Sequence, residues 1–290
     1  MLLIPGPASR ELGEAIARLA QLELGKLEFK LFPDGESYLR LESSVEGREV
    51  AIVQGTHPPQ DRHIMQLLLM VDNLKNLGAS RIVAIIPYMA YARQDKRFLE
   101  GEAISIETIL KMFKYAGIDE IITVNIHSPW ILQHTPIPVA NLDATGLLAK
   151  YTHNLGLSDP LIISPGKKGE AMASIAAKEI GTDFAPVRSE RNTHTGEVKV
   201  IIEADVKDRD VLFVDDIIST GGTAIKTVKT LKKLGSGRIV VSCIHALMVG
   251  DADKRLLEAG AEKLVATNTI PNRYAEVDIA SLIAQHVKRE

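Results

Sequence analysis

The sequence predicts an α/β protein made of two tandem domains, each a mostly parallel sheet flanked by helices. Three observations carry that expectation. The chain has 290 residues, enough for about two domains of about 145 residues, each with its own core. Apolar, β-branched runs alternate along it with amphipathic segments, which is the pattern of a helix-wrapped parallel sheet. Finally, "LKNLGASRIV" from Leu74 is echoed by "LKKLGSGRIV" from Leu231. Helix end matches helix end and strand matches strand, which two copies of one domain would explain, the alternative being convergence of common helix-to-strand chemistry.

Taken in order, the strands are read at "EVAIVQG" from Glu49, "RIVAIIPY" from Arg81, "EIITVNIH" from Glu120, "PLIISPG" from Pro160, "DVLFVDDI" from Asp210, "RIVVSCIHA" from Arg238 and "KLVATNTI" from Lys263. None alternates apolar with polar, so each reads as a strand buried on both faces. Between them, amphipathic segments close on Gly78, Gly117, Gly156, Gly181, Gly235 and Gly260, where a left-handed C-terminal cap calls for glycine. The expected domains are residues 1–142 and 143–290.

Bulk composition narrows the function. Hydrophobic residues make up 46% and charged residues 24%, an ordinary balance for a globular protein and unlike disordered or membrane chains. No segment approaches the roughly 20 apolar residues that span a bilayer, and the start lacks the layout of a secretory signal. The expectation is a cytoplasmic protein without a membrane partner. A net charge of -3 gives no general attraction for polyanions, so nucleic acid is not an expected partner. The single cysteine, Cys243, sits in an apolar run and reads as a small core residue rather than a nucleophile.

The most informative stretch is "VDDIISTGGTA", Val214 to Ala224. A strand, two acids, a run of small hydroxyl and glycine residues and then a helix make an anion site, because the backbone N–H groups converge at the helix N-terminus. Ser219, Thr220 and Thr223 add hydroxyls, while Gly221 and Gly222 let a ligand approach the backbone. A phosphate would repel Asp215 and Asp216, so these acids suit sugar hydroxyls or a divalent cation held through water. A phosphorylated sugar meets both requirements. The plain alternative is a capped helix start beside a solvated acid pair.

"VLFVDDIISTGGTA" resembles the ribose-5-phosphate loop of the phosphoribosyltransferase fold, and four further motifs are similar to one family within it, ribose-phosphate pyrophosphokinase. These are "LFPDGESYLRL", "IIPYMAYARQDKRF", "GEAISIETIL" and "VATNTI", in order along nearly the whole chain, with an archaeal flavour in "GEAISIETIL" and "TGEV". The resemblance implies tandem phosphoribosyltransferase-type domains, ATP and ribose 5-phosphate as substrates, Mg2+ as cofactor, and a homo-oligomer, a dimer or a multiple of dimers. It implies Phe32, Asp34 and Glu36 as readers of the ATP base from a loop that reaches a neighbouring subunit. By residues alone, "FPDGE" is a surface turn. Arg93, Gln94 and Arg97 are implied ATP ligands, where residues alone allow a solvated charge run. His127 is implied to bind ATP phosphate and magnesium, and Arg191 to act on the transferring group.

The chain also departs from the family pattern. Asn125 stands where the family has an acid two residues before its histidine. Gly166 stands where an acid follows Ser-Pro, with Lys167 and Lys168 next. Ser189 replaces the lysine of a Lys-x-Arg pair, leaving Arg191 matched and Arg188 nearby. Three other readings are open: a regulatory homologue without turnover, a simple phosphoribosyltransferase, and a dinucleotide-binding oxidoreductase. The last lacks a G-x-G-x-x-G after an early strand.

Overall fold

The computed structural model describes residues 1–191 and 198–288, with the backbone alone described at residues 167–168, 189–191 and 198–199. The chain divides into two compact units, Met1–Leu142 with Ile279–Glu290, and Asp143–Asp278. The first unit runs β1 (Leu2–Pro5), α1 (Arg10–Ala20), β2 (Glu23–Leu24), β3 (Leu27–Leu31), β4 (Ser37–Leu41), β5 (Glu49–Val53), α2 (Gln60–Asn76), β6 (Arg81–Ile86), α3 (Ser105–Ala116), β7 (Glu120–Val124), a 3-10 turn over Pro129–Gln133, and β8 (Val139–Leu142). The second runs α4 (Thr145–His153), β9 (Leu161–Pro165), α5 (Gly166–Ile180), β10 (Phe184–Arg191), β11 (Val198–Ile202), β12 (Val211–Ile218), α6 (Gly222–Lys233), β13 (Ile239–Ala246), α7 (Ala252–Glu258), β14 (Lys263–Thr267) and β15 (Ala275–Val277). The last helix, α8 (Ala280–Val287), belongs to the first unit. The sequence reading had grouped those residues with the second.

Each unit contains one large sheet, in the order β2-β1-β5-β6-β7-β8 and β11-β10-β9-β12-β13-β14-β15. All pairs are parallel except β10–β11 and the separate β3–β4 hairpin. From β1 or β9 onward the two orders superpose strand for strand, β5 on β12 and β6 on β13, so the Leu74/Leu231 echo marks a repeated architecture. Even the arginine of "RIV" repeats its role: Arg81 pairs with Glu49 and Glu120 of the flanking strands, and Arg238 pairs with Glu262 beside β14.

The apolar runs became strands because both faces are covered. β7 and β13 are buried at every residue. β12 is buried over its first four residues and emerges at Asp215, where the run of apolar side chains stops. The six helix-closing glycines all have positive φ. Gly117, at φ 110, shows why: its N–H reaches back to the carbonyls of Phe113 and Lys114 in a conformation that a Cβ would strain. Cys243 is fully buried in β13, where burial pushes its thiol well above the ordinary range. Among the described residues, no helix is long and apolar enough to cross a membrane.

Candidate active site

In the second unit, Asp215 and Asp216 lie within β12 rather than in the loop after it. The carboxylate of Asp215 accepts the N–H of Asp216, and that of Asp216 accepts the N–H of Ile217, so the local backbone orients both acids. Ser219, Thr220 and Gly221 form the turn, and α6 starts at Gly222. Gly221 has φ 69 and gives the helix no side-chain cap, which leaves the first-turn N–H groups for something else. A Cβ added at Gly222 would meet nothing within 4 Å. The turn is held from behind by the segment just after β13: Leu247 and Met248 donate to the Ile218 carbonyl, and Val249 donates to that of Ser219. The result is a fixed, open helix N-terminus of 12 residues beside two carboxylates, an arrangement suited to holding a phosphate and hydroxyls together.

In the first unit, the corresponding sheet edge carries the nucleotide-side motifs. "YARQDKR" follows β6, and His127 comes just beyond β7. Four ties fix this loop. Thr56, fully buried, donates to the Tyr88 carbonyl at 2.8 Å and accepts the N–H of Ala90 at 2.8 Å. Tyr91, in the left-handed region at φ 63, hydrogen-bonds Asp61 of α2. The buried Asp95 accepts the Trp130 indole N–H at 2.8 Å, joining the loop to the segment of His127. Glu102 accepts the N–H groups of Phe98 and Leu99, bonds that hold its carboxyl below the usual range.

The candidate ligands differ in how far the fold itself uses them. Arg93 is exposed and has no partner among the described residues. The Gln94 amide is drawn toward Glu102 and the Lys96 carbonyl, each at 3.3 Å, and Arg97 donates through Nε to the Glu102 carbonyl. "FPDGE" is the tip of the β3–β4 hairpin: Gly35 donates to the Phe32 carbonyl, and the Glu36 N–H to the Asp34 carboxylate. The turn reading is therefore right about its conformation. Phe32 remains 42% exposed, edge-on to Tyr38, and the Glu36 carboxylate is exposed, so both are presented outward.

Residues 1–117 match a family described as the N-terminal domain of ribose phosphate pyrophosphokinase, and residues 134–285 match the phosphoribosyl transferase domain. A ribose-phosphate pyrophosphokinase of Saccharolobus solfataricus is 38% identical over 93% of both chains. That of Methanothermobacter thermautotrophicus is also 38% identical, over 99% of this chain and all of its own. The chain belongs to the ribose-phosphate pyrophosphokinase family. A solved phosphoribosylpyrophosphate synthetase of Mycobacterium smegmatis has the same fold, with a TM-score of 0.88 at 29% identity, covering 99% of this chain and 97% of that one. As a ribose-phosphate pyrophosphokinase family member the protein is an enzyme, with two phosphoribosyltransferase-type domains.

The family's departing positions are also located. Gly166 opens α5 with φ 68, exposed and with open space around a Cβ. Asn125 has φ 39. Ser189 and Arg191 lie on β10, opposite Val200 and Val198, but their side chains, like those of Lys167 and Lys168, are outside the described residues. Arg188 of β10 pairs at 3.5 Å with Glu203, the residue just after β11. Sequence reasoning missed Thr56, Tyr91, Asp95 and Trp130, which tie down the loop after β6.

Proposed function

We propose that the protein transfers the β,γ-diphosphoryl group of ATP to the anomeric oxygen of ribose 5-phosphate, giving phosphoribosyl pyrophosphate and AMP. The observation that carries this reading is the uncapped α6 N-terminus beside Asp215 and Asp216, in a chain whose relatives share the activity's name. The α6 amides and the hydroxyls of Ser219, Thr220 and Thr223 bind the 5-phosphate, and the two acids accept hydrogen bonds from the ribose hydroxyls. Arg93, Gln94 and Arg97 orient the triphosphate. Phe32 stacks on the base, with Asp34 and Glu36 accepting from its amino group. Transfer of this kind asks the protein for in-line positioning and charge neutralisation rather than a side-chain nucleophile. Arg191 and His127 serve that role at the transferring group. We also propose the cytoplasm as the compartment, where both substrates are held.

Among the described residues, no group of three His, Cys, Asp or Glu side chains forms a metal cage. Mg2+, the cofactor the family resemblance implies, keeps its waters and binds through one or two carboxylates plus substrate phosphates. In the first unit His127 is the residue that would hold it, and in the second unit the Asp215–Asp216 pair offers carboxylates to a hydrated cation. When bound, it supplies positive charge to the phosphates. AMP release from ATP, Mg2+ and ribose 5-phosphate is the expected result. Failure to release AMP, together with base-dependent consumption of phosphoribosyl pyrophosphate, would replace this reading with that of a phosphoribosyltransferase.

Gly166 favours a slower version of the same enzyme. A missing carboxylate near a metal commonly costs about tenfold to a hundredfold. Aspartate is among the residues that best tolerate φ 68, and a left-handed L-residue costs about 1–2 kcal/mol. Gly166→Asp should therefore fold and raise the rate of AMP release, alone or with Ser189→Lys. If the natural chain is already fast and neither change helps, the handicap is refuted.

A further inference from the structure

The sheet orders superpose β5 on β12, and the pairings fix the register: Val50 lies opposite Ile82 as Val211 lies opposite Ile239. Counting forward, Gln54 occupies the place of Asp215. What binds sugar in one unit is, in the other, packed with its own side chains. Gln54 is fully buried. Its Oε1 accepts the Ala8 N–H at 3.0 Å, and its Nε2 donates to the His63 carbonyl at 3.3 Å and to Gln66 Oε1 at 3.2 Å. The approach is so close that a Cβ on Gly6 would fall 2.2 Å from Gln54 Oε1. Gln66, 1% exposed, then donates through Nε2 to Ser37 Oγ at 3.1 Å. Ser37 is the first residue of β4, next to the "FPDGE" tip. Two residues beyond Gln54, Thr56 grips both Tyr88 and Ala90 at the root of the "YARQDKR" loop.

We infer that Gln54 and Gln66 form a buried amide clamp that positions the two ATP-side motifs, the Phe32–Glu36 turn and the Arg93–Arg97 loop, against one strand end, and that Gln66 is a positioning residue for nucleotide binding. The inference rests on the assignment of those motifs to ATP. Its physical basis is that a buried amide chain fixes a geometry only when every donor and acceptor is used. Here the two side-chain amides connect the turn before α1, helix α2 and the hairpin through four hydrogen bonds, while the Gln54 backbone N–H donates to Ile85 of β6. An apolar isostere would keep the volume while releasing the hairpin.

The test is calorimetry of Mg2+-ATP and, separately, ribose 5-phosphate on the full chain and three variants. Gln66→Met removes the hydrogen bonds at nearly constant volume. Gln66→Glu, kept neutral by burial, restores one donor and one acceptor. Ser37→Ala cuts only the arm to the hairpin. Small misplacements of positioning groups carry large penalties, so Gln66→Met should weaken ATP about tenfold and Ser37→Ala about threefold or more. Ribose 5-phosphate affinity should be unchanged, and Gln66→Glu should lie near the natural chain. The clamp is overturned if ATP affinity is unchanged in Gln66→Met and Ser37→Ala, if Gln66→Glu is as weak as Gln66→Met, or if both ligands weaken together. Should Gln66→Met fail to fold, Ser37→Ala decides alone. AMP release is scored in parallel. A natural chain that binds ATP without releasing AMP counts against the proposed reaction and leaves the ATP affinities to judge the clamp, whereas one that binds no ATP overturns both.

Discussion

At the scale of residues, Gly222 offers the cleanest separation of binding from folding. Its backbone is helical, and a Cβ there has no neighbour within 4 Å. Gly222→Val therefore leaves the core untouched while placing a branched side chain over the amides that face the 5-phosphate. Losing two charge-assisted hydrogen bonds corresponds to about a hundredfold in affinity. Calorimetry with ribose 5-phosphate should show that loss with an unchanged melting temperature, and full affinity in the variant would dismiss the α6 site. This site was legible because its chemistry is contiguous: acids, hydroxyls and glycines occupy one stretch, Asp215 to Thr223. The amides of Gln54 and Gln66 were not legible. Nothing in the sequence says that residues 12 positions apart meet in the interior, or that both meet a hairpin residue. Nor does the sequence signal the left-handed backbone of Tyr91, because tyrosine carries no preference for it.

At the scale of elements, all seven apolar runs proved to be strands, and these form the centres of the two sheets. The strands that escaped notice include β1, buried throughout but only four residues long, and β10, eight residues long; others are short or marginal. β2 has two residues, both exposed, β15 is three residues long with one exposed, and no residue of the β3–β4 hairpin strands is buried. Periodicity separates an element from its surroundings only where burial is complete or strictly alternating. The connection from β5 to α2 also sets a pH dependence. The rings of His57 and His63 stand 4.8 Å apart, edge to face. Burial, and secondarily the charge of His63, moves His57 from 6.5 down to about 4; burial likewise lowers His63. The folded first unit thus resists a proton that the unfolded chain accepts. The stabilisation is present above pH 6.5 and is lost as pH falls from 6.5 toward 4. From pH 7.5 to 5, His57 should contribute about 1 kcal/mol of that loss, once the solvent-facing part of the ring is discounted. Urea unfolding followed by the single tryptophan, Trp130, which lies in the first unit, would show a smaller acid loss in His57→Gln. An equal loss in both would assign the effect elsewhere.

At the scale of the whole molecule, the presented turn at Phe32–Glu36 bears on assembly. Its aromatic and acidic side chains face outward, and we propose that it completes the nucleotide site of a second copy, as the family resemblance implies. Light scattering at assay concentration should find at least a dimer; a monomer with full ATP affinity would refute a shared site. The repeat has a second whole-chain property. After its last sheet strand, each half supplies a helix that the other unit takes up: α4 packs on α5 in the second unit, and α8 packs on α1 in the first. The linear boundary is therefore not the one the contacts draw, which group residues 279–290 with the first unit. During synthesis this reverses the order of completion. Residues 143–278 are contiguous, so the second unit has all its parts once they emerge. The first unit, though translated first, keeps the apolar face of α1 waiting for Ile283, Ala284 and Val287. At about 5–20 residues per second, that face stays uncovered for roughly 13–53 s, an interval in which a nascent chain depends on the ribosome or a chaperone to shield it.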